Sequence, residues 1–134
     1  MADTFQLEVV TPARQIVNTR AEEAQIPGLS GYLGILPGHA PLITELAVGV
    51  ITYRSGGETS TLAVAWGFME VLPDKVTILA ETAERPAEVD VARAEKAKTR
   101  AEERLRSSDA EIDFDRAQDA LRRAENRLQV SAKK

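Results

Sequence analysis

Hydrophobic and polar positions alternate in short runs through the first two thirds of the chain, the period of a strand with one buried face. "FQLEVV" (5–10) and "RQIVNT" (14–19) read as strands joined by a "TPA" turn around Pro12. "AEEAQIPG" (21–28) leads into the glycine-rich "GLSGYLGILPGHAP" (28–41). "VGVITYRS" (48–55) and "TSTLAVAW" (59–66) flank Gly56-Gly57, where glycine takes φ > 0 at little cost and favours a tight hairpin. "GFMEVL" (67–72) and "KVTILAE" (75–81) flank a second turn at Pro73-Asp74. Roughly nine or ten short strands punctuated by Gly and Pro predict a β-sandwich or barrel.

The period then changes. All eight glycines and all six prolines lie at or before Pro86, and charged residues rise from 15 in the first 86 positions to 23 in the last 48. The boundary falls in "ETAERPAEVD" (81–90), dividing a strand-rich domain (1–86) from a helical one (87–134). Asp90 is a candidate N-cap, because its carboxylate can accept an otherwise unpaired backbone N–H. Ala94, Ala97, Ala101 and Leu105 follow on one face. "RSSDAE" (106–111) supplies a turn, and Ala117, Ala120, Leu121, Ala124 and Leu128 form a second apolar stripe. Small residues on both stripes predict an antiparallel two-helix hairpin with close axes. On periodicity the hairpin is either static, packed on the sandwich or standing as a coiled-coil arm, or movable; a buried methyl-sized group contributes only ~0.8 kcal/mol, so an alanine seam is a weak clasp that one ligand or partner could shift. Straightened into one helix, residues 90–134 reach ~65 Å.

Composition narrows the chemistry. Net charge is −4, with 12 bases and 11 acids after Pro86, so no strong basic patch suggests nucleic-acid binding. Cysteine is absent, which removes disulfides, thiolate metal sites and a thiol nucleophile. "MADTFQLEVV" has neither the basic start nor the apolar run of a signal peptide, and no apolar stretch is long enough to span a membrane. His39, the only histidine, stands in "LPGHAPL" with no triad or GxSxG signature, so it reads as a loop contact rather than a catalytic base. Gly28, Gly31, Gly34 and Gly38 match neither dinucleotide nor P-loop spacing, and no metal-ligand spacing is visible. The arginines of the second helix carry more. Arg116, Arg123 and Arg127, spaced by seven and four, are expected on one face, while Arg122 points away from it. Such a face is either solvated and internally paired or a grip for an anion, phosphate included.

Four segments together resemble the epsilon subunit of the bacterial rotary ATP synthase: "GYLGILPGHAPL" (31–42), "GFMEV" (67–71), "VTILAETAER" (76–85) and "VDVARAEKAK" (89–98). The resemblance covers essentially the whole chain. It implies an N-terminal β-sandwich followed by a two-helix domain, and a non-catalytic subunit of the central stalk. The sandwich would bind gamma and rest on the ring of c subunits. The helices would lie folded on the sandwich or extend along gamma to the alpha and beta subunits and inhibit ATP hydrolysis. The subunit would be peripheral, on the cytoplasmic face of the bacterial inner membrane, in an enzyme coupled to protons or sodium. No cofactor is implied, but ATP is implied as a regulatory ligand. Its motif is matched by Val89, Asp90, Arg93 and Ala94 in "VDVARA", with valine where the family has Ile or Leu. Arg123 and Arg127 match the phosphate-binding arginines, and Glu84 matches the acid before the hinge. Tyr32, where relatives often carry an acid, and His39 are the implied contacts with the c ring. Arg116, Arg122, Arg123 and Arg127 are the implied inhibitory contacts with beta. The reading from a different class is a stand-alone binding module whose hairpin recognises an unrelated protein.

Overall fold

The structure, a computed structural model, describes residues 3–133. Eight strands are followed by a short 3₁₀ turn and two helices: β1 (Phe5–Val10), β2 (Gln15–Ala21), β3 (Glu23–Gly28), β4 (Gly31–Ile35), β5 (Leu42–Leu46), β6 (Gly49–Ser55), β7 (Glu58–Val71), β8 (Lys75–Glu84), the 3₁₀ turn Pro86–Glu88, α1 (Val91–Arg106) and α2 (Phe114–Ser131). The strands form a β-sandwich around one core that includes Phe5, Leu7, Val9, Ile26, Ile51, Leu62, Met69 and Ile78. The path β2-β1-β8-β7-β5-β3-β4 links the strands, with β6 bridging β3 and β7. All pairs are antiparallel except β1 with β8.

The strand count is lower than the sequence suggests because "TSTLAVAW" and "GFMEVL" are one strand. β7 runs through Trp66 and Gly67 without a break, pairing β6 along its first half, β5 along its second and β8 along its other edge. Its burial phase flips at that point: Leu62 and Val64 face the core before it, Met69 and Val71 after it. The backbone accommodates the flip with positive φ at Trp66 (58°) and Gly67 (132°). A Cβ on Gly67 would stand 1.9 Å from the Leu79 carbonyl oxygen, so only glycine lets β7 and β8 approach here. The Gly56-Gly57 turn forms as expected, with φ of 60° and 81°.

The phase flip divides the outer surface of β7 in two. Its first half lies under the hairpin, where Ala63 and Val50 meet Val130 of α2. Helix α2 therefore lies between α1 and the sheet and is buried on two sides. Ala117 and Ala124 belong to the alanine stripe; Asn126 and Val130, nearly opposite them around the helix, face the sandwich. Asp90 caps α1 by accepting from Arg93 N at 3.1 Å. The cap of α2 is Asp113, two residues beyond the expected turn, accepting from Arg116 N at 3.1 Å. Among the described residues no helix is long and apolar enough to cross a membrane.

Candidate functional site

Between α2 and the sheet lies a cavity of about 490 Å³. Alanines 63, 65, 83, 97, 120 and 124 give it an apolar lining, and Arg14, Arg123, Arg127, Glu81 and Glu84 bring charge to it. The Arg127 guanidinium donates to both Glu84 oxygens, Nε to Oε1 at 2.6 Å and Nη2 to Oε2 at 3.1 Å. This two-pronged pair ties α2 to the end of β8. Arg123, one turn earlier, lines the same cavity and has no ion-pair partner among the described residues. The alanines can meet an apolar group and the arginines an anion, with Glu81 and Glu84 on the same wall.

The sequence-expected residues divide around this cavity. Glu84, Arg123 and Arg127 are brought together on its wall. Val89 and Ala94 are buried, whereas Asp90 and Arg93 are exposed, Asp90 serves as the helix cap, and none of the four lines the cavity. The expected common face of Arg116, Arg123 and Arg127 holds only for the last two; Arg116 is exposed near the start of α2 and does not reach the cavity. Arg122 points away, as expected, with Asp119 Oδ1 3.9 Å distant. Tyr32 and His39 do not converge. Tyr32 is the second residue of β4; its hydroxyl accepts from Val50 N at 2.9 Å, and its ring lines a cleft against α2. His39 lies beyond the other end of β4, its Nδ1 2.7 Å from the Ala40 carbonyl oxygen.

Two features escape a sequence reading. The linker is pinned to the sandwich: Arg85 donates to Tyr53 Oη (3.2 Å) and the Ile16 carbonyl (3.1 Å), and Glu88 receives Arg85 N (2.8 Å) and Arg14 Nη2 (2.7 Å). The Arg85 amide donating into Glu88 holds its carboxyl below the usual range; partial burial opposes this and the Arg14 guanidinium adds to it. The second feature is Asn126, 9% exposed, which donates Nδ2 to the Gly49 carbonyl at 2.7 Å. An Asn126/Val130 pair at i, i+4 off the alanine stripe is the one sequence signal of this second buried face.

Away from the hairpin, the second half of β7 presents apolar side chains to solvent. Phe68 stands opposite Leu79 across β7 and β8, and Ile43 lies on the neighbouring β5. They are 54%, 55% and 71% exposed, so this part of the sheet carries large apolar side chains on its surface.

Two family models account for the chain: residues 4–86 match the ATP synthase delta/epsilon chain β-sandwich domain, and residues 87–132 match its long α-helix domain. The chain belongs to the ATP synthase epsilon-chain family. It is 68% identical over 108 residues to the epsilon chain of Koribacter versatilis, covering 81% of this chain and 76% of that one. It is 48% identical over 102 residues to the epsilon chain of Solibacter usitatus, covering 76% of each. The fold matches a chain of the Euglena gracilis mitochondrial ATP synthase, solved as OSCP/F1/c-ring in rotational state 1. That match has a TM-score of 0.84 at 22% identity and covers 98% of this chain and 83% of the other. Membership makes this an epsilon subunit of an F-type ATP synthase, a subunit and not the catalytic one.

Proposed function

We propose that the chain is a rotor subunit of the central stalk: the sandwich docks on gamma and meets the c ring, and the hairpin restrains ATP hydrolysis by moving between folded and extended forms. The observation that carries the docking is the bare row Ile43, Phe68 and Leu79, which lies on the half of β7 that the hairpin leaves uncovered. Covering such a side chain contributes up to about 1.5–3 kcal/mol, less for the part already buried, so the row offsets a share of the association cost. The loop holding His39 belongs to the ring contact, peripheral to the membrane on its cytoplasmic side. Tyr32 contributes less to that contact than the family pattern implies, because its hydroxyl is engaged with Val50 N.

The regulatory part rests on the alanine-rich, and hence weak, seam of the hairpin. ATP favours the folded hairpin by meeting Arg123 and Arg127, with Asp90 and Arg93 approaching from α1 and Glu84 released from Arg127. A ligand at 100 times its dissociation constant adds ~2.7 kcal/mol to the state it binds, comparable with the seam. Extension frees Arg123 and Arg127, which then join Arg116 and Arg122 on the acidic surface of beta. The docking claim is tested by Phe68→Glu in the full chain. Gamma should no longer co-purify, while the circular dichroism spectrum and melting curve stay those of a folded sandwich. Retention of gamma by a folded Phe68→Glu chain would move the interface elsewhere.

A further inference from the structure

Asn126 and Arg127 are neighbours on α2, yet they grip different strands by different chemistry. Arg127 holds Glu84 through charge, on the wall of the cavity that Asn126 also lines. Asn126 holds the Gly49 carbonyl through a neutral, buried bond. The surroundings of Gly49 are built for that bond. A Cβ there would lie 2.6 Å from Pro27 Cβ and 2.7 Å from Tyr32 Oη, so the position accepts no side chain. The Tyr32 hydroxyl takes Val50 N, the next amide along, and fixes the start of β6. The Tyr32 ring also walls the cleft on the other flank of α2, beside Leu121 and Glu125.

We propose that Tyr32, Gly49 and Asn126 form an uncharged latch that holds the hairpin on the sandwich independently of the Glu84–Arg127 ion pair. Tyr32 acts in it as a positioning residue and Asn126 as the catch. The two holds respond to different signals. Salt or a bound anion weakens the ion pair by screening or competition, because both partners keep about a quarter of their side-chain surface exposed. The amide–carbonyl bond is buried and carries no net charge, so salt screening leaves it in place. The hairpin therefore stays closed when its charged hold is lost, and opening requires both to break together with the Val50–Ala63–Val130 contact. The inference rests on the reading that the hairpin opens, but not on what the opened helices do.

The test is amide hydrogen exchange, read peptide by peptide, on the full chain at low salt and in about 1 M salt, where screening reaches only about 3 Å. Asn126→Ala removes the catch; Asn126→Leu removes the donor while keeping bulk under the helix. Both should speed exchange in α1 and α2 about tenfold at either salt concentration, the factor carried by one lost buried hydrogen bond. Exchange in β1 and β8 should not change. Tyr32→Phe should give a smaller acceleration in the same helices, and Arg127→Ala an acceleration at low salt only. Glu95→Ala, on the exposed side of α1, is the control. The latch is overturned if Asn126→Leu matches that control, if its effect disappears in high salt, or if β1 and β8 accelerate as much as the helices. Because the isolated chain is measured, these outcomes are independent of any effect on ATP hydrolysis.

Discussion

Arg123 and Arg127 stand one turn apart on the cavity wall, and only Arg127 has an ion-pair partner among the described residues. A nucleotide phosphate would thus find Arg123 unengaged and would compete with Glu84 for Arg127. Calorimetry on the isolated chain at millimolar ATP separates this from general charge attraction. Arg123→Glu should weaken binding by at least about tenfold, the loss of a charge-assisted bond, while Arg122→Glu, which lies outside the cavity on the flank of α2 facing the Tyr32 cleft, stays close to wild type. Equal losses would leave no specific site. Glu88 gives a second residue-scale prediction. Its carboxyl is held below the ordinary range in the folded chain, so its contribution is fully present above the unfolded value of about 4.3 and is lost as pH falls through the folded value. In ¹³C titrations by NMR, Glu88 should titrate below that value, and Arg14→Ala should move it upward. The Asp90 cap was legible in the sequence because cap and amide are three residues apart. Asn126 and Arg14 were not, since their roles depend on which flank of α2 meets which strand.

At the scale of elements, β7 shows where alternation misleads. A strand that keeps one face to the core has period two, but β7 changes faces at Trp66–Gly67, so one strand reads as two. The bend is localised by a residue with no side chain. Gly67→Ala places a methyl 1.9 Å from the Leu79 oxygen and holds alanine at φ 132°, which should lower stability by more than about 3 kcal/mol in urea unfolding. Gly34→Ala, whose added methyl meets nothing within 4 Å, should change stability by less than about 0.5 kcal/mol. Similar values for the two would deny the close approach its role. The helices were easier to read than their placement. Alanine stripes at spacings of three and four specified a hairpin. They did not reveal the second buried row of α2, because a helix between two partners needs two apolar faces and this one uses only Asn126 and Val130 for the second.

For the whole molecule, the division of labour follows the two halves of β7. One half carries a hairpin held, among the described residues, by a small apolar cluster, an ion pair and a neutral hydrogen bond; the other leaves large apolar side chains exposed. Among the described residues the sandwich core contains none after Ala83, so the hairpin can leave without opening it. The most direct measurement is ATP hydrolysis by the assembled enzyme carrying either the full chain or one ended at Ala87, with gamma co-purification confirming incorporation of both. The account predicts that the shortened chain still binds gamma and that hydrolysis rises when the helices are removed. Hydrolysis that stays unchanged across nucleotide concentrations, with the shortened chain in place, would contradict it.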